Sequence, residues 1–287
     1  MNYLKDYREG EKFVGTYLCK QKQILKTKAG KTYYSLTLQD KTGTADGKIW
    51  ELNNGIANFE PMDYIHCEGM VTSFQGNLQM NISRVRISDE GEYDPADYVP
   101  CTNKDVGEMF SRILKYVASV QNKYLRKILE MYFVENKEFV DAFKKHSAAK
   151  SVHHGFMGGL LEHTLSVTDM CQYFAEHYPM IHRDLLITAA LFHDMGKIQE
   201  ISDFPMNDYT DDGQLLGHIY IGARCMENAA AQIPNFPPKL KNELVHCILA
   251  HHGKMEFGSP KVPAIMEAMA LHMADNADAK LQTLTEV

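Results

Sequence analysis

The sequence predicts two domains, a small all-β barrel followed by an all-α helical bundle, and three observations predict this division. Residues 1–87 alternate apolar and polar side chains in short runs separated by turn residues, as half-buried strands do. Residues 88–104 are acidic, contain two prolines and lack periodicity, which is typical of a linker. In residues 105–287 the apolar positions recur with a helical period. A chain of 287 residues is long enough to form two cores.

The first domain is predicted to contain five short strands. Alternation is clearest in the runs KTYYSLTLQD, DGKIWEL, DYIHCEGMVTSF and NLQMNISRVRI, with a brief helical interruption expected near residues 53–59. Such a pattern favours a small closed antiparallel barrel of the OB type, although an SH3-like barrel has strands of similar length. Trp50 is expected to lie in the barrel core.

The second domain is predicted to be a bundle of helices that project side chains inward. The periodicity predicts helices over about 105–119, 121–133, 136–146, 157–178, 184–199, 218–232, 238–252 and 262–281. The turn-rich segments DFPMNDYTDDGQ and NFPPK separate some of them.

Composition places the chain among ordinary globular proteins. Hydrophobic residues make up 45% and charged residues 23%, which argues against long disorder. The first residues lack an apolar signal region and no run of about 18 apolar residues occurs, so we expect a cytoplasmic protein without membrane contact. Six scattered cysteines with no CxxC pair argue against both a disulfide framework and a thiolate zinc site.

Charge is divided unevenly between the two domains. The net charge is −7, yet residues 1–87 carry 12 lysines and arginines against 9 acidic residues. The remaining 200 residues therefore carry a net charge of −10. A mildly basic barrel and an acidic helical domain suggest that the two domains do different work.

Histidines and aspartates on successive predicted helices form a pattern typical of a metal site. Burying an adjacent His–Asp pair in an apolar helical segment costs several kcal/mol unless a metal compensates. Helical bundles build metal sites from such inward-facing side chains. The segment 153–280 is the predicted core of the site. Its candidate ligands are His163, His193, Asp194, His218, His251, His252 and Asp275.

Four further residues near these ligands are candidates for a second layer of contacts. His272 lies one helical turn before Asp275 and could orient that carboxylate, and Asp278 lies one turn beyond it. His153 and His154 precede the first ligand helix, where they could contact a ligand or a phosphate, or simply begin the helix.

The ligand pattern resembles the HD-domain superfamily of metal-dependent phosphohydrolases. The phrases GGLLEHT, LFHDMGKI, LAHHGKMEFGSP and EAMALHMADNADAK are similar to those of the YhaM-type 3′–5′ exoribonucleases, also described as CMP-binding-factor proteins. The barrel phrases LQDKTGTADGKIWE and GMVTSFQGNLQMNI are similar as well. The resemblance therefore covers nearly the whole chain and implies an OB-fold followed by an HD domain.

This resemblance implies specific roles for the candidate ligands. His163, His193, Asp194 and Asp275 would bind one metal ion. His218 and His251 would help to hold a second ion bridged by Asp194, and His252 would ligate that ion or contact phosphate. Imidazole and carboxylate ligands without a thiolate suit one or two ions of Mn, Co, Fe or Ni, as well as catalytic Zn, better than Mg.

The implied reaction is hydrolysis of the 3′-terminal phosphodiester by water, which releases a nucleoside 5′-monophosphate. Asp194 would be the central catalytic carboxylate. Lys197, one helical turn beyond His193, is placed to offset charge on the phosphoryl oxygens, although a lysine near a helix end is also favoured by the helix dipole.

The barrel carries residues that suit a nucleic-acid grip. Lysines follow a phosphate backbone and aromatic rings stack on bases without reading sequence. These chemistries suit single-stranded RNA and single-stranded DNA alike, and the resemblance also implies a homo-oligomer. The candidates are Lys20, Lys22, Lys26, Lys28, Lys31, Tyr33, Tyr34 and Phe74, although each aromatic ring also suits a barrel core.

Two other functions remain open from the sequence. An HD phosphodiesterase could act on a cyclic or small nucleotide, but enzymes of the HD-GYP kind carry a GYP segment where this chain has HHGKMEFGSP. A non-catalytic nucleic-acid-binding protein is the other alternative, and the intact set of ligand residues argues against it.

Overall fold

The structure, a computed structural model, describes residues 3–150 and 154–285. The chain divides into two compact units, residues 1–100 and residues 101–287. The first unit is the barrel and the second is the helical bundle.

Within the described residues the first unit contains five strands that close into a barrel in the order β1-β2-β3-β5-β4. Neighbouring strands pair antiparallel except β3 and β5, which run parallel. This order matches a five-stranded Greek-key barrel, so the predicted OB-like fold is confirmed. The strands are β1 (Lys12–Lys26), β2 (Thr32–Asp40), β3 (Gly43–Ile49), β4 (Tyr64–Phe74) and β5 (Asn77–Ile87).

Alternation along the strands places one set of side chains in the barrel core. On β2, for example, Leu36 and Leu38 are buried while the residues between and beside them are partly exposed. Two expectations for this unit were wrong. Residues 53–59 form a turn and an isolated bridge from Ile56 to Val85 rather than a helix. Trp50 is 40% exposed because it follows β3 on the outer face of the barrel.

Part of the segment 88–104 packs on the barrel. It contains a short 3-10 helix, Pro95–Asp97, and the ring of Tyr98 lies 5.3 Å from that of Tyr64 between centroids. The side-chain amide of Gln39 donates a hydrogen bond of 2.9 Å to the Tyr98 carbonyl. These contacts explain why the compact barrel unit extends to residue 100.

The described part of the second unit contains ten helices around one apolar core. They are α1 (Val106–Ser119), α2 (Lys123–Phe133), α3 (Lys137–Lys145), α4 (Gly159–His177), α5 (Arg183–Phe192), α6 (Lys197–Glu200), α7 (Asp211–Leu215), α8 (Gly217–Ala231), α9 (Pro238–Ala250) and α10 (Met266–Thr285). None of the helices in the described ranges has both the length and the apolar character needed to cross a membrane.

Two predicted helices end earlier than periodicity indicated. The helix expected over 184–199 is interrupted between α5 and α6, and the helix expected over 238–252 ends with α9. The interruption reflects a close backbone approach, because a Cβ on Gly196 would lie 2.1 Å from the carbonyl oxygen of His218. The shortened helices leave His193–Asp194 and His251–His252 in the turns that follow them.

We expect Gly69→Ala to destabilise the barrel. Gly69 lies at a register shift in β4, and a Cβ there would lie 2.0 Å from the Asn81 carbonyl oxygen and 2.8 Å from the ring of Phe13. Overpacking of this kind costs roughly 1–3 kcal/mol. Trp50 is the single tryptophan of the chain, so its fluorescence during urea unfolding reports on the barrel. Ser73→Ala, at an exposed position of the same strand, is the control, and equal midpoints for the two variants would contradict this account.

Candidate metal centre

The helical unit brings all seven candidate ligands together. His163 lies on α4, His218 on α8 and Asp275 on α10, while the two adjacent pairs lie in the turns after α5 and α9. Both turns place a ligand pair just after the last residue of a helix, and His193, Asp194 and His251 are buried there. The structure therefore gathers residues that are separated by up to 112 positions in the sequence.

One group of ligand atoms surrounds a single carboxylate oxygen of Asp194. His163 Nε2 lies 3.3 Å and His193 Nε2 3.4 Å from Asp194 Oδ2. Asp275 Oδ1 lies 3.2 Å from His163 Nε2 and 3.9 Å from His193 Nε2. Two imidazole nitrogens and two carboxylate oxygens thus converge on one point.

A second group surrounds the other oxygen of the same carboxylate. His218 Nε2 lies 3.5 Å and His251 Nε2 3.6 Å from Asp194 Oδ1. Nitrogens of His218, His251 and His252 lie within 4.8 Å of one another. The Asp194 carboxylate therefore lies between two clusters, each with enough donors to hold a cation.

Three buried polar atoms in the second group have no hydrogen-bond partner among the described residues. They are Asp194 Oδ1, His218 Nε2 and His251 Nε2. A buried polar atom without a partner is costly, so such atoms call for a compensating ligand. Nitrogen and carboxylate oxygen are donors that divalent transition metals accept, and the arrangement fits such an ion.

Backbone carbonyls fix the orientation of two ligand imidazoles. His193 Nδ1 bonds to the Ala190 carbonyl at 2.7 Å, and His251 Nδ1 bonds to the Ile248 carbonyl at 2.6 Å. Since a carbonyl accepts, each Nδ1 must carry the proton and each Nε2 presents a lone pair to the site. The same contact, three residues back along the helix, is used in both turns.

Asp278 orients His163 from the other side. Its Oδ2 lies 2.7 Å from His163 Nδ1 and 3.0 Å from His154 Nε2, and Ser166 donates to its Oδ1. Asp278 thus contacts the candidate ligand His163 directly, whereas His154 contacts Asp278. His153 lies outside the described residues.

Glu200 contacts His218 twice and was missed by sequence reasoning. Its Oε1 accepts hydrogen bonds of 2.9 Å from both the backbone nitrogen and Nδ1 of His218. A glutamate three residues beyond Lys197 matches no ligand pattern in the sequence, so only the fold reveals this contact. Burial raises the pKa of Glu200 but the bonds to His218 prevail, and the pKa is lowered.

His272 was expected to orient Asp275, and the structure places it elsewhere. Its Nδ1 bonds to the carbonyl of His251 at 2.9 Å. The ring packs against Gly253, where a Cβ would lie 2.2 Å from the imidazole and where φ is +78°. His272 thus supports the turn that carries His251 and His252 rather than the carboxylate on its own helix.

Lys197 forms an ion pair with the shared carboxylate. Its Nζ lies 2.6 Å from Asp194 Oδ2, and its side chain is 15% exposed. Burial raises the pKa of Asp194, but Lys197 and His193 prevail and hold it well below its usual range. Burial alone would lower the pKa of the His163 imidazole. The hydrogen bonds to Asp194, Asp275 and Asp278 outweigh burial and raise this pKa well above its ordinary value. The centre is thus a buried network of opposite charges.

A cavity of about 370 Å³ opens onto the centre. Its lining combines candidate ligands with a cation, an amide and an aromatic ring. The lining residues are Ala148, His163, Lys197, His252, Phe257, His272, Asp275, Asn276 and Ala279. A ligand in this cavity would therefore meet both the clustered donors and the ammonium of Lys197.

The barrel candidates differ in what their side chains contact. Lys22 and Tyr34 are engaged in contacts within the barrel. The Lys22 ammonium donates a hydrogen bond of 2.5 Å to the Phe59 carbonyl and lies over the Tyr34 ring. Lys31 pairs with Glu51 at 3.2 Å. The remaining candidates stay accessible at the surface of this unit; these are Lys20, Lys26 and Lys28, the partly exposed Tyr33, and Phe74, which is 63% exposed.

An aromatic pair on the barrel surface includes a residue that sequence reasoning assigned to the core. The Tyr33 and Trp50 rings stack with centroids 4.6 Å apart. Trp50 Nε1 donates to Asn81 Oδ1 at 3.1 Å, and Asn81 in turn donates to Thr72. The pair and its polar partners lie on one outer face that spans β2, β5 and β4.

Comparison with known proteins supports the motif-based resemblance. Residues 160–280 match the family model described as HD domain. The chain is 32% identical to "3′-5′ exoribonuclease YhaM" of Geobacillus sp. (strain WCH70), over 89% of this chain and 78% of the relative. It is also 32% identical to the proteins of that name from Bacillus subtilis (strain 168), over 89% of this chain and 81% of the relative, and from Shouchella clausii (strain KSM-K16), over 98% and 88%.

Among solved structures, the second OB-fold domain of replication protein A from Methanococcus maripaludis matches 32% of this chain and 98% of its own length. Its identity is 20% and its TM-score is 0.26. The curated relatives match far more of the chain, and their identity extends through both the barrel and the helical unit. The chain therefore belongs to the YhaM family, in which an OB-like barrel precedes an HD domain.

Proposed function

We propose that the chain is a metal-dependent 3′–5′ exoribonuclease that shortens single-stranded RNA and releases nucleoside 5′-monophosphates. The observation that carries the proposal is the Asp194 carboxylate, whose two oxygens each face a separate cluster of imidazole nitrogens. Membership of the YhaM family supports the direction of the reaction, because the named relatives are 3′–5′ exoribonucleases.

Two ions can be assigned to the two clusters. His163, His193, Asp275 and Asp194 Oδ2 would hold the first. His218, His251, His252 and Asp194 Oδ1 would hold the second. The donors favour Mn, Co, Fe or Ni over Mg, which prefers oxygen ligands and retains several waters.

Divalent ions in such a centre supply acidified water and positive charge for the transferring phosphoryl group. The protein supplies the rest of the chemistry. Lys197 places a fixed cation at the cavity, where it can balance charge that develops on a phosphoryl oxygen. Asp278 and the Ala190 carbonyl hold His163 and His193 in orientation, so no reorganisation is needed during the reaction.

The barrel is the domain that binds single-stranded RNA. The Tyr33–Trp50 stack offers a half-exposed aromatic surface on which bases can stack regardless of sequence. Lys20, Lys26 and Lys28 are exposed on β1 and the turn that follows it, where they can follow the phosphates. Single-stranded DNA offers the same base faces and phosphates, so it is the second substrate to test.

We expect Glu200→Ala to weaken one metal site selectively. Removing a partner that orients a metal-binding imidazole typically costs 10–100-fold in affinity, and Glu200 contacts His218 alone among the candidate ligands. Calorimetric titration of chelator-stripped protein with Mn²⁺ should show two sites in the wild type. In Glu200→Ala one site should keep its affinity and the other should be weaker by this factor. Glu227→Ala, on an exposed position of α8, is the matched control. Equal isotherms for all three proteins would contradict the role assigned to Glu200.

We expect Asp194→Asn to lower the rate of RNA hydrolysis by about a thousand-fold or more, because both clusters lose their shared charged ligand. The assay follows 5′-labelled single-stranded RNA with and without Mn²⁺. A ladder that shortens from the 3′ end and requires Mn²⁺ is the expected result for the wild type and for the control Asp212→Asn, which changes an exposed residue of α7.

Other outcomes of that assay would replace the proposal. Hydrolysis of a cyclic dinucleotide without RNA shortening would indicate a small-nucleotide phosphodiesterase. RNA binding without hydrolysis of any substrate would indicate a binding protein.

We expect Trp50→Ala to weaken RNA binding by roughly five- to 150-fold, since stacking on an aromatic ring is worth about 1–3 kcal/mol per base. The effect should appear in the Kd for a labelled 20-nucleotide RNA, measured by fluorescence anisotropy at a fixed salt concentration. Trp50→Phe should retain most of the affinity. Tyr173→Ala, which removes a 61% exposed ring from α4, is the control. Unchanged binding in Trp50→Ala would exclude this surface as the grip.

A further inference from the structure

Phe257 combines exposure with a place in the wall of the metal cavity. Its side chain is 56% exposed, yet it lines the cavity together with His163, Lys197 and Asp275. An exposed phenylalanine gains little from burial in the fold itself. Its position at the cavity therefore calls for an explanation in terms of a ligand.

We propose that the Phe257 ring stacks on the base of the 3′-terminal nucleotide while the adjoining phosphodiester lies at the metal centre. This inference rests on the proposed exonuclease function and adds a subsite to it. Phe257 is here a binding residue, since it touches the base and not the reacting atoms.

The backbone of Phe257 is tied directly to the metal centre. His252 Nδ1 donates a hydrogen bond of 2.8 Å to the Phe257 carbonyl. The short 3-10 helix Met255–Phe257 is followed by Gly258, whose φ of +84° is the left-handed conformation that glycine adopts readily. The position of the Phe257 ring is thus fixed relative to the candidate ligand His252. A site that holds a base and its phosphate together needs such a fixed distance.

Charge around the ring suits the nucleotide backbone. Lys254 Nζ lies 5.3 Å from the centroid of the ring and 3.2 Å from Glu256 Oε1. A lysine beside an aromatic ring is the combination that recurs where proteins hold single strands. Lys197 provides a second cation in the same cavity. The ring therefore lies near two ammonium groups, each of which is also paired with a carboxylate.

The size and chemistry of the cavity also suit one nucleotide. A volume of about 370 Å³ lies at the lower end of the range for pockets that hold a single small ligand. Asn276 and His272 on α10 add polar groups to the lining. A 3′–5′ exonuclease must accept each base in turn, and an aromatic face binds any base because every base has a π-face.

The test compares two RNA substrates that differ only at the 3′ end, where one carries a natural nucleotide and the other an abasic ribose. We expect the wild type to prefer the natural end by about ten-fold in kcat/KM. Phe257→Ala and Phe257→Leu should lose this preference, whereas Phe257→Tyr should keep it. Met255→Ala changes a 73% exposed residue of the same turn and is the control.

A binding experiment separates failure of this inference from failure of the proposed function. With Mn²⁺-loaded protein, calorimetry compares adenosine 5′-monophosphate with ribose 5-phosphate, which lacks the base. We expect about ten-fold tighter binding of the nucleotide by the wild type and equal binding of both by Phe257→Leu. An equal preference in wild type and Phe257→Leu would overturn the inference even if RNA is hydrolysed. Absence of RNA hydrolysis by the wild type would overturn the proposed function while the binding result still decides whether the ring holds a base.

Discussion

The helical unit is organised around the Asp194 carboxylate, whose side chain is 2% exposed. A buried carboxylate is unfavourable without compensation, and here the compensation comes from Lys197 and from imidazoles on both sides. The turn that carries Asp194 separates α5 from α6 and lies against the backbone of α8. Helices α5, α6 and α8 thus meet at the turn that carries this charged group.

The contacts that orient the candidate ligands also connect the helices. Asp278 on α10 holds His163 on α4, and Glu200 at the end of α6 holds His218 on α8. His272 links α10 to the turn after α9. These groups act as positioning residues for the centre and as cross-links of the bundle, so substitutions among them are expected to change both metal affinity and stability.

Sequence reasoning predicted the candidate ligands because few side chains can replace histidine and aspartate at a metal. It predicted the OB-like barrel because the alternation of apolar and polar residues shows which face of each strand is buried. It could not show that the turn before Lys197 lies against the backbone of α8, since that contact comes from a later part of the chain. The roles of Glu200 and Phe257 could not be predicted, because they depend on the contact of Glu200 with His218 and on the place of Phe257 in the cavity wall. Trp50 was assigned to the core because size favours burial, whereas its stack with Tyr33 occupies the outer face.

The two turns that carry adjacent ligand pairs have an electrostatic consequence. Both α5 and α9 end immediately before their ligands, at Phe192 and Ala250. The carboxyl end of a helix carries a partial negative charge of roughly half an electron, because the peptide dipoles align along its axis. Two such ends meet the same centre and add to the field of Asp194 and Asp275. The electrostatic potential at the centre is therefore more negative than the carboxylates alone would make it. This additional contribution comes from the backbone, so substitution of a ligand side chain does not remove it.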